Sequence, residues 1–208
     1  MSYGIILLVQ NKTMFAYGST VDVAIYTVAT YINCFLVNTC MGIAQGLQPL
    51  IGYHYGAKKY KRMNQFIYIT ICVCILGGVL VYSGIFAYGR EIIRIFGVDS
   101  KNIEFAYKMI LIYCIGSPII GIIFTMSGYY QAIGKNIYAN IISIGRGFVF
   151  QFIFTVVLPP FIGTTGVFLS LPLAELITFI ILGVIVLIES RKKSITLLKN
   201  KSILINVP

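Results

Sequence analysis

The sequence reads as an all-α, polytopic membrane helix bundle of about six transmembrane helices. Three features carry that reading. Charged residues are 11% of the 208-residue chain, against about 25% in soluble domains, too few to cover a surface facing water. Uncharged runs occupy residues 23–57, 63–89, 109–134 and 147–174, each able to cross a hydrocarbon layer that takes about 20 helical residues. The basic residues lie mostly between or after these runs, with 16 Lys and Arg against 6 Asp and Glu. A mean hydropathy of +0.90 also excludes a disordered chain, which has little apolar side chain to bury.

The elements follow in order. Tyr3–Tyr17 is short for a crossing and carries Gln10, Asn11 and Lys12. It is neither a clean signal peptide nor a whole span, and it reads as the tail of a helix that begins earlier. Five full spans are expected at about Val23–Leu50, Met63–Tyr88, Phe105–Gly128, Ile137–Leu158 and Gly166–Ile188. Gly42 and Gly46 have the four-residue spacing that lets membrane helices approach closely. Gly52 and Gly56 share the spacing and fit a tight exit turn equally well. Glu91–Phe96 is a short amphipathic stretch, read either as interfacial or as a solvated loop. Ser117-Pro118 can interrupt the hydrogen-bond ladder of its span. Residues 1–190 thus form one transmembrane unit, followed by a basic tail, 191–208, that either rests on anionic lipid or hangs free.

The loops set an orientation. Lys58, Lys59, Lys61 and Arg62 form one basic turn, Lys135 marks a second, and Arg191, Lys192 and Lys193 follow the last span. Placed inside by the positive-inside rule, they make a multi-pass protein of the cell (cytoplasmic) membrane with both ends cytoplasmic. Arg90–Lys108 falls outside, its four bases nearly neutralised by Glu91, Asp99 and Glu104. The formal charge of +10 is therefore a topological signal, with the lipid bilayer as its partner and no nucleic acid required.

Enzyme chemistry is not expected. A catalytic centre needs a nucleophile with a base, paired carboxylates or a metal cluster; His54 is the sole histidine, and Asp22 and Glu175 have no acid within sequence reach. No Walker-type phosphate loop occurs. The five cysteines lie inside apolar runs, and Cys72 and Cys74 point to different sides of a helix. They read as packing residues, so no metal and no cofactor is called for.

Polar groups inside a bilayer are costly and need reasons. Tyr31, Cys34, Asn38, Met41, Gln45 and Gln48 step by three or four and form one helical stripe. That stripe suits either the wall of a hydrated cavity or interhelical hydrogen bonding. Tyr113, Ser117, Phe124 and Ser127 share a face in the same way. Glu175, just after Pro172, must be protonated, paired or wet. Two readings stand for it: a proton or sodium site in a cavity, or a structural partner for Arg146 or for backbone donors. Arg146 is otherwise expected to snorkel to the surface along its stem.

Gly42–Lys58, with Gln48-Pro49, Gly52-Tyr53 and Gly56-Ala57 before the basic turn, resembles the end of the eighth helix of multidrug and toxic compound extrusion (MATE) transporters. Asn11–Gly18 is similar to the end of that family's seventh helix, Glu91–Asp99 to its periplasmic loop, and Tyr130–Gly134 to the turn after its tenth helix. Arg146, Leu158-Pro159, Gly166-Val167 and Pro172–Glu175 match its last two helices. The resemblance implies the C-terminal half of a twelve-helix fold, truncated at its first helix, which needs the missing N-terminal lobe to enclose a drug cavity. It implies secondary active efflux of small amphipathic or cationic drugs by antiport with H+ or Na+ as coupling ion. The cavity wall would hold Tyr31, Asn38, Met41, Gln45, Gln48, Tyr113, Ser117 and Glu175. No carboxylate stands in the first or the tenth-helix equivalent, so coupling at those positions is not expected. A lipid-linked saccharide flippase of the same superfamily, or an inactive truncated fragment, are the alternatives.

Overall fold

The computed structural model describes residues 2–205, and side-chain surroundings over residues 4–191. Those residues form helices and turns with no strand. In order they are α1 (Ser2–Tyr17), α2 (Thr20–Gly56), α3 (Tyr60–Ile95), a 3-10 turn (Ser100–Asn102), α4 (Ile103–Tyr113), α5 (Ser117–Ala132), α6 (Asn136–Ile144), a π-helical segment (Gly145–Phe150), α7 (Gln151–Val157), α8 (Pro159–Ile162) and α9 (Thr164–Ile205). Five helical stretches are long and apolar enough to cross a membrane: Thr20–Gly56, Tyr60–Ile95, Ser100–Ala132, Asn136–Ile162 and Thr164–Arg191.

Local chemistry explains the boundaries. α2 opens on a capping box: the Ser19 N–H donates to Asp22 Oδ2 at 2.7 Å and the Asp22 N–H to Ser19 Oγ at 3.3 Å, satisfying donors that a helix start leaves open. α2 and α5 end in the same way. The Lys59 N–H donates to the His54 carbonyl at 2.8 Å, and the Lys135 N–H to that of Tyr130 at 2.9 Å. Such a six-residue closure needs a left-handed residue just before the donor. Gly134 supplies it with φ 77°, whereas at the α2 end the role falls to Lys58 with φ 57°, not to Gly56. In the second turn Lys135 also pairs with Glu189, whose carboxylate pushes the lysine ammonium above its ordinary range.

The main core joins α1, α2, α4 and α9 through Met14, Ile25, Tyr26, Ile110, Tyr113 and Phe168. A second cluster joins α5, α6 and α9 through Ile123, Tyr130, Ile142 and Leu182. α5 lies against α3 at close range: a Cβ on Gly78 would stand 2.4 Å from the Ser117 carbonyl oxygen, and one on Gly121 would stand 2.2 Å from Cys74 Cβ. These two glycines perform the close approach expected of Gly42 and Gly46. The latter have no neighbour within 4 Å of an added Cβ and lie on the open face of α2. Glu91–Ile95 is neither a loop nor a separate interfacial segment; it is the last turn of α3. In the Arg90–Lys108 connection, Arg90 holds Glu104 at 2.6 and 3.2 Å and lies over the Tyr107 ring. The basic tail read over residues 191–208 begins as a continuation of α9. Residues 206–208, and the surroundings of the side chains from 192 on, lie outside the described residues, as does the lipid contact considered for them.

Candidate functional site

Three irregularities of the backbone meet at one carboxylate. The first is the break between α4 and α5. Pro118 has no N–H to offer the Cys114 carbonyl, its helical partner four residues back. The Ser117 N–H takes that place at 3.0 Å and the Ser117 hydroxyl at 2.5 Å, and the chain turns through residues 114–116. The second is the π-helical segment that carries Arg146, a wide turn of a kind found often at functional sites. The third is Pro172 inside α9, one turn before Glu175.

Glu175 is 1% exposed, and its Oε1 accepts a hydrogen bond from Arg146 Nη2 at 3.2 Å. The guanidinium lies over the Phe124 ring, 4.8 Å from the centroid. Gly116 forms the floor: a Cβ there would stand 1.8 Å from Glu175 Oε2, so only a residue without a side chain leaves room for the carboxylate. Glu175 Oε2 and Arg146 Nε have no hydrogen-bond partner among the described residues. The pair thus uses one contact where a carboxylate and a guanidinium can form two. Arg146 does not snorkel to the surface; Glu175 holds it inside the lobe, with 12% of its side chain exposed.

A second polar cluster joins α1 to the rest of the bundle. Gln10 is fully buried. Its carbonyl oxygen accepts from the Tyr26 hydroxyl at 2.5 Å, and its amide nitrogen reaches Thr155 Oγ1 and Ser170 Oγ, both at 3.4 Å. Tyr26, Tyr113 and Phe168 form an edge-to-face aromatic trio with centroids 5.7 to 6.2 Å apart. Among these, Gln10 showed in the sequence only as one of three adjacent polar residues, with Asn11 and Lys12, in a short helical segment. Thr155 and Ser170 gave no signal, because a hydroxyl on a membrane helix can always bond its own carbonyl four residues back.

The residues read as one cavity wall fall in two places. Tyr31, Asn38, Met41 and Gln45 are exposed on the outer face of α2, while Leu36, Cys40, Ala44 and Leu47 on its inner face join the core. Asn38 bonds the Cys34 carbonyl of its own helix at 2.9 Å. Gln48, on the edge of the stripe, donates to Gln131 Oε1 of α5 at 3.0 Å. Tyr113 and Ser117 are buried on the α4–α5 side, and Glu175 is buried opposite Gly116. The open stripe and the buried pair are thus separate features of one lobe. No group of three or more His, Cys, Asp or Glu side chains able to hold a metal ion occurs among the described residues.

The MatE family profile matches residues 5–157. The chain belongs to the MatE family. Among its relatives, the multidrug export protein MepA of Staphylococcus saprophyticus is 29% identical over 174 residues, covering 84% of this chain and 38% of the relative. MepA of Staphylococcus aureus is 29% identical over 168 residues, covering 81% and 37%. The chain therefore spans about two fifths of the length of the curated MatE relatives it matches. The fold agrees with an inward-facing MATE family transporter of the MOP superfamily at a TM-score of 0.81, with 18% identity over 92% of this chain and 45% of the other. It also agrees with the MATE multidrug transporter DinF-BH, solved in complex with rhodamine 6G, at a TM-score of 0.76, with 27% identity over 91% and 42%.

Proposed function

We propose that this MatE chain works as one half of a secondary active multidrug efflux transporter, exporting amphipathic and cationic compounds by antiport with H+ or Na+. The observation that carries the reading is the division of α2 into two faces. One packs into the core, and the other presents Tyr31, Asn38, Met41 and Gln45 on a surface left open by the described residues. A polar, adaptable face of aromatic, thioether and amide groups suits varied amphipathic cargo, and a second six-helix half facing it would close the cavity. The names of the relatives, multidrug export proteins and a multidrug transporter bound to rhodamine 6G, support the same cargo class. The basic turns favour an orientation with both ends in the cytoplasm.

Coupling requires that a cation stabilise one access state over the other. In this reading Glu175 is the element that responds. Its carboxylate is held by a single contact to Arg146 where three weakened pieces of backbone meet, so a change in its charge alters the packing of α4–α5, the π-helical segment and α9 together. Saccharide flipping is less well supported, since Arg146, the cation such a cavity would use, is engaged by Glu175. The test is dye export by the product of the native locus in a host lacking other pumps. Glu175→Gln is expected to lower gradient-driven export at least tenfold while protein remains in the membrane. Export equal to the unaltered protein would remove Glu175 from the mechanism.

A further inference from the structure

The two turns at the basic end of the lobe share one geometry but not one environment. Lys59 and Lys135 occupy the same place, with φ and ψ of −87° and 56° in the first and −88° and 57° in the second, and neither helix start has a side-chain cap. Lys135 is paired with the Glu189 carboxylate. Lys59 stands with Lys58, Lys61 and Arg62 and has no acidic partner among the described residues. The charge of the molecule is divided accordingly. Asp22, Glu91, Asp99 and Glu104 lie at the opposite end and Glu175 lies inside, which leaves Glu189 alone at the basic end, already bonded to Lys135.

Beside the unneutralised turn, the end of α2 and the start of α3 border a cleft of about 520 Å³ lined by His54, Arg62, Gln65, Phe66, Tyr68 and Ile69. His54 is more than nine-tenths buried. Its Nδ1 is 2.8 Å from the Leu50 carbonyl, and its ring is held by Tyr53 and Phe66 at centroid distances of 5.3 and 5.2 Å. Nε2 has no hydrogen-bond partner among the described residues, and the ring lies in the wall of the cleft. Arg62, Gln65, Phe66 and Ile69 follow helical spacing on one face of α3. The same face continues through Val73, Leu76 and Leu80, which are 50 to 67% exposed. A cationic pocket therefore opens onto an apolar track running down the helix toward the middle of the membrane.

We propose that this cleft binds the phosphate head group of an anionic phospholipid. Arg62, Lys59 and the open start of α3 meet the phosphate, Gln65 and His54 reach the glycerol, and one acyl chain lies along Ile69, Val73, Leu76 and Leu80. A free anion would use the charges but not the track; a lipid uses both. The α5–α6 turn carries the same lysine with a carboxylate supplied by the chain itself, so the lipid phosphate does for α2–α3 what Glu189 does for α5–α6.

The chain contains no tryptophan, so one introduced residue reports on one place. Tyr68→Trp reports on the cleft and Phe161→Trp on the opposite end. Each is reconstituted in vesicles holding acyl-brominated phosphatidylglycerol or phosphatidylcholine, and quenching gives the relative association of the two lipids. At the Tyr68→Trp position phosphatidylglycerol is expected to be favoured about fivefold or more, falling about fivefold for each of Arg62→Gln and Lys59→Gln, with no preference at Phe161→Trp. Both charge substitutions are at exposed positions, and a melting curve on each confirms that the fold persists. Equal quenching by the two lipids, or a preference untouched by Arg62→Gln, would overturn the proposal. So would loss of the preference on adding roughly 10 mM inorganic phosphate at constant ionic strength, since a site so easily emptied is one for free anions.

Discussion

Alanine at position 116 should break the pair of Glu175 and Arg146 without touching either residue. Gly116 has φ −75° and ψ −7°, a conformation any residue adopts, so the substitution carries no backbone strain of its own. The added Cβ would stand 1.8 Å from Glu175 Oε2 and 3.0 Å from Cδ, so the carboxylate must retreat by roughly 1.5 Å to reach van der Waals distance. Its one hydrogen bond, already 3.2 Å long, does not survive that retreat. Loss of a charge-assisted bond costs about 1.5–3 kcal/mol, and leaving a charge unpaired in the interior about 3–5 kcal/mol. The expected destabilisation is therefore about 2–5 kcal/mol, or on the order of 10 °C in melting temperature for a chain of this size. Cys114, buried two residues away, makes a thiol-reactive fluorogenic dye a direct reporter of melting in detergent. Repeating Gly116→Ala with Glu175→Ala and Arg146→Met already present should cost nearly nothing, because the colliding atom and both charges are gone. An unchanged melting temperature for Gly116→Ala alone, or the same loss on both backgrounds, would refute the steric account.

Two further substitutions test the packing around that site by the same melting assay. Tyr26→Phe strands the buried Gln10 carbonyl, which accepts from the Tyr26 hydroxyl at 2.5 Å, and should cost about 1–3 kcal/mol. Gly78→Ala drives a methyl group against the Ser117 carbonyl and Pro118 Cα, at 2.4 and 2.8 Å. Since these are backbone atoms that cannot swing aside, α3 and α5 must separate, at a cost of about 1–3 kcal/mol, whereas Gly42→Ala on the open face should leave the melting temperature unchanged.

What the sequence made legible follows from how membrane helices signal themselves. Uncharged length marks a span whatever it packs against, so the five crossings could be located, and Pro118 marked a break because a missing N–H is a local property. Contact between helices is not local. Gly42 and Gly46 carried the spacing of a packing motif but lie on the open face, while Gly78 and Gly121, neither with a second glycine four residues away, make the close α3–α5 crossing. Likewise the α2 stripe was visible as a periodic pattern, but its separation from Tyr113, Ser117 and Glu175 depends on how α4, α5 and α9 fold back on the lobe. Arg146 shows the limit most plainly. The sequence allows both a pairing with Glu175 and snorkelling along the stem, and only the structure decides between them, with Arg146 on the π-helical segment and its guanidinium 3.2 Å from the Glu175 carboxylate.

If the proposed function holds, the outer face of α2 meets the transported compound. That contact is tested most directly by cysteine accessibility in the product of the native locus, with the native cysteines replaced by serine or alanine. Asn38→Cys and Gln45→Cys are each treated with a small, water-soluble thiol reagent, with and without the cationic dye rhodamine 6G; Leu80→Cys, on the apolar track of α3, serves as the lipid-facing control. Both α2 positions are expected to react, several-fold more slowly with the dye present, while Leu80→Cys does not react. Two α2 positions as inert as Leu80→Cys, or reacting at a rate the dye does not change, would contradict that contact.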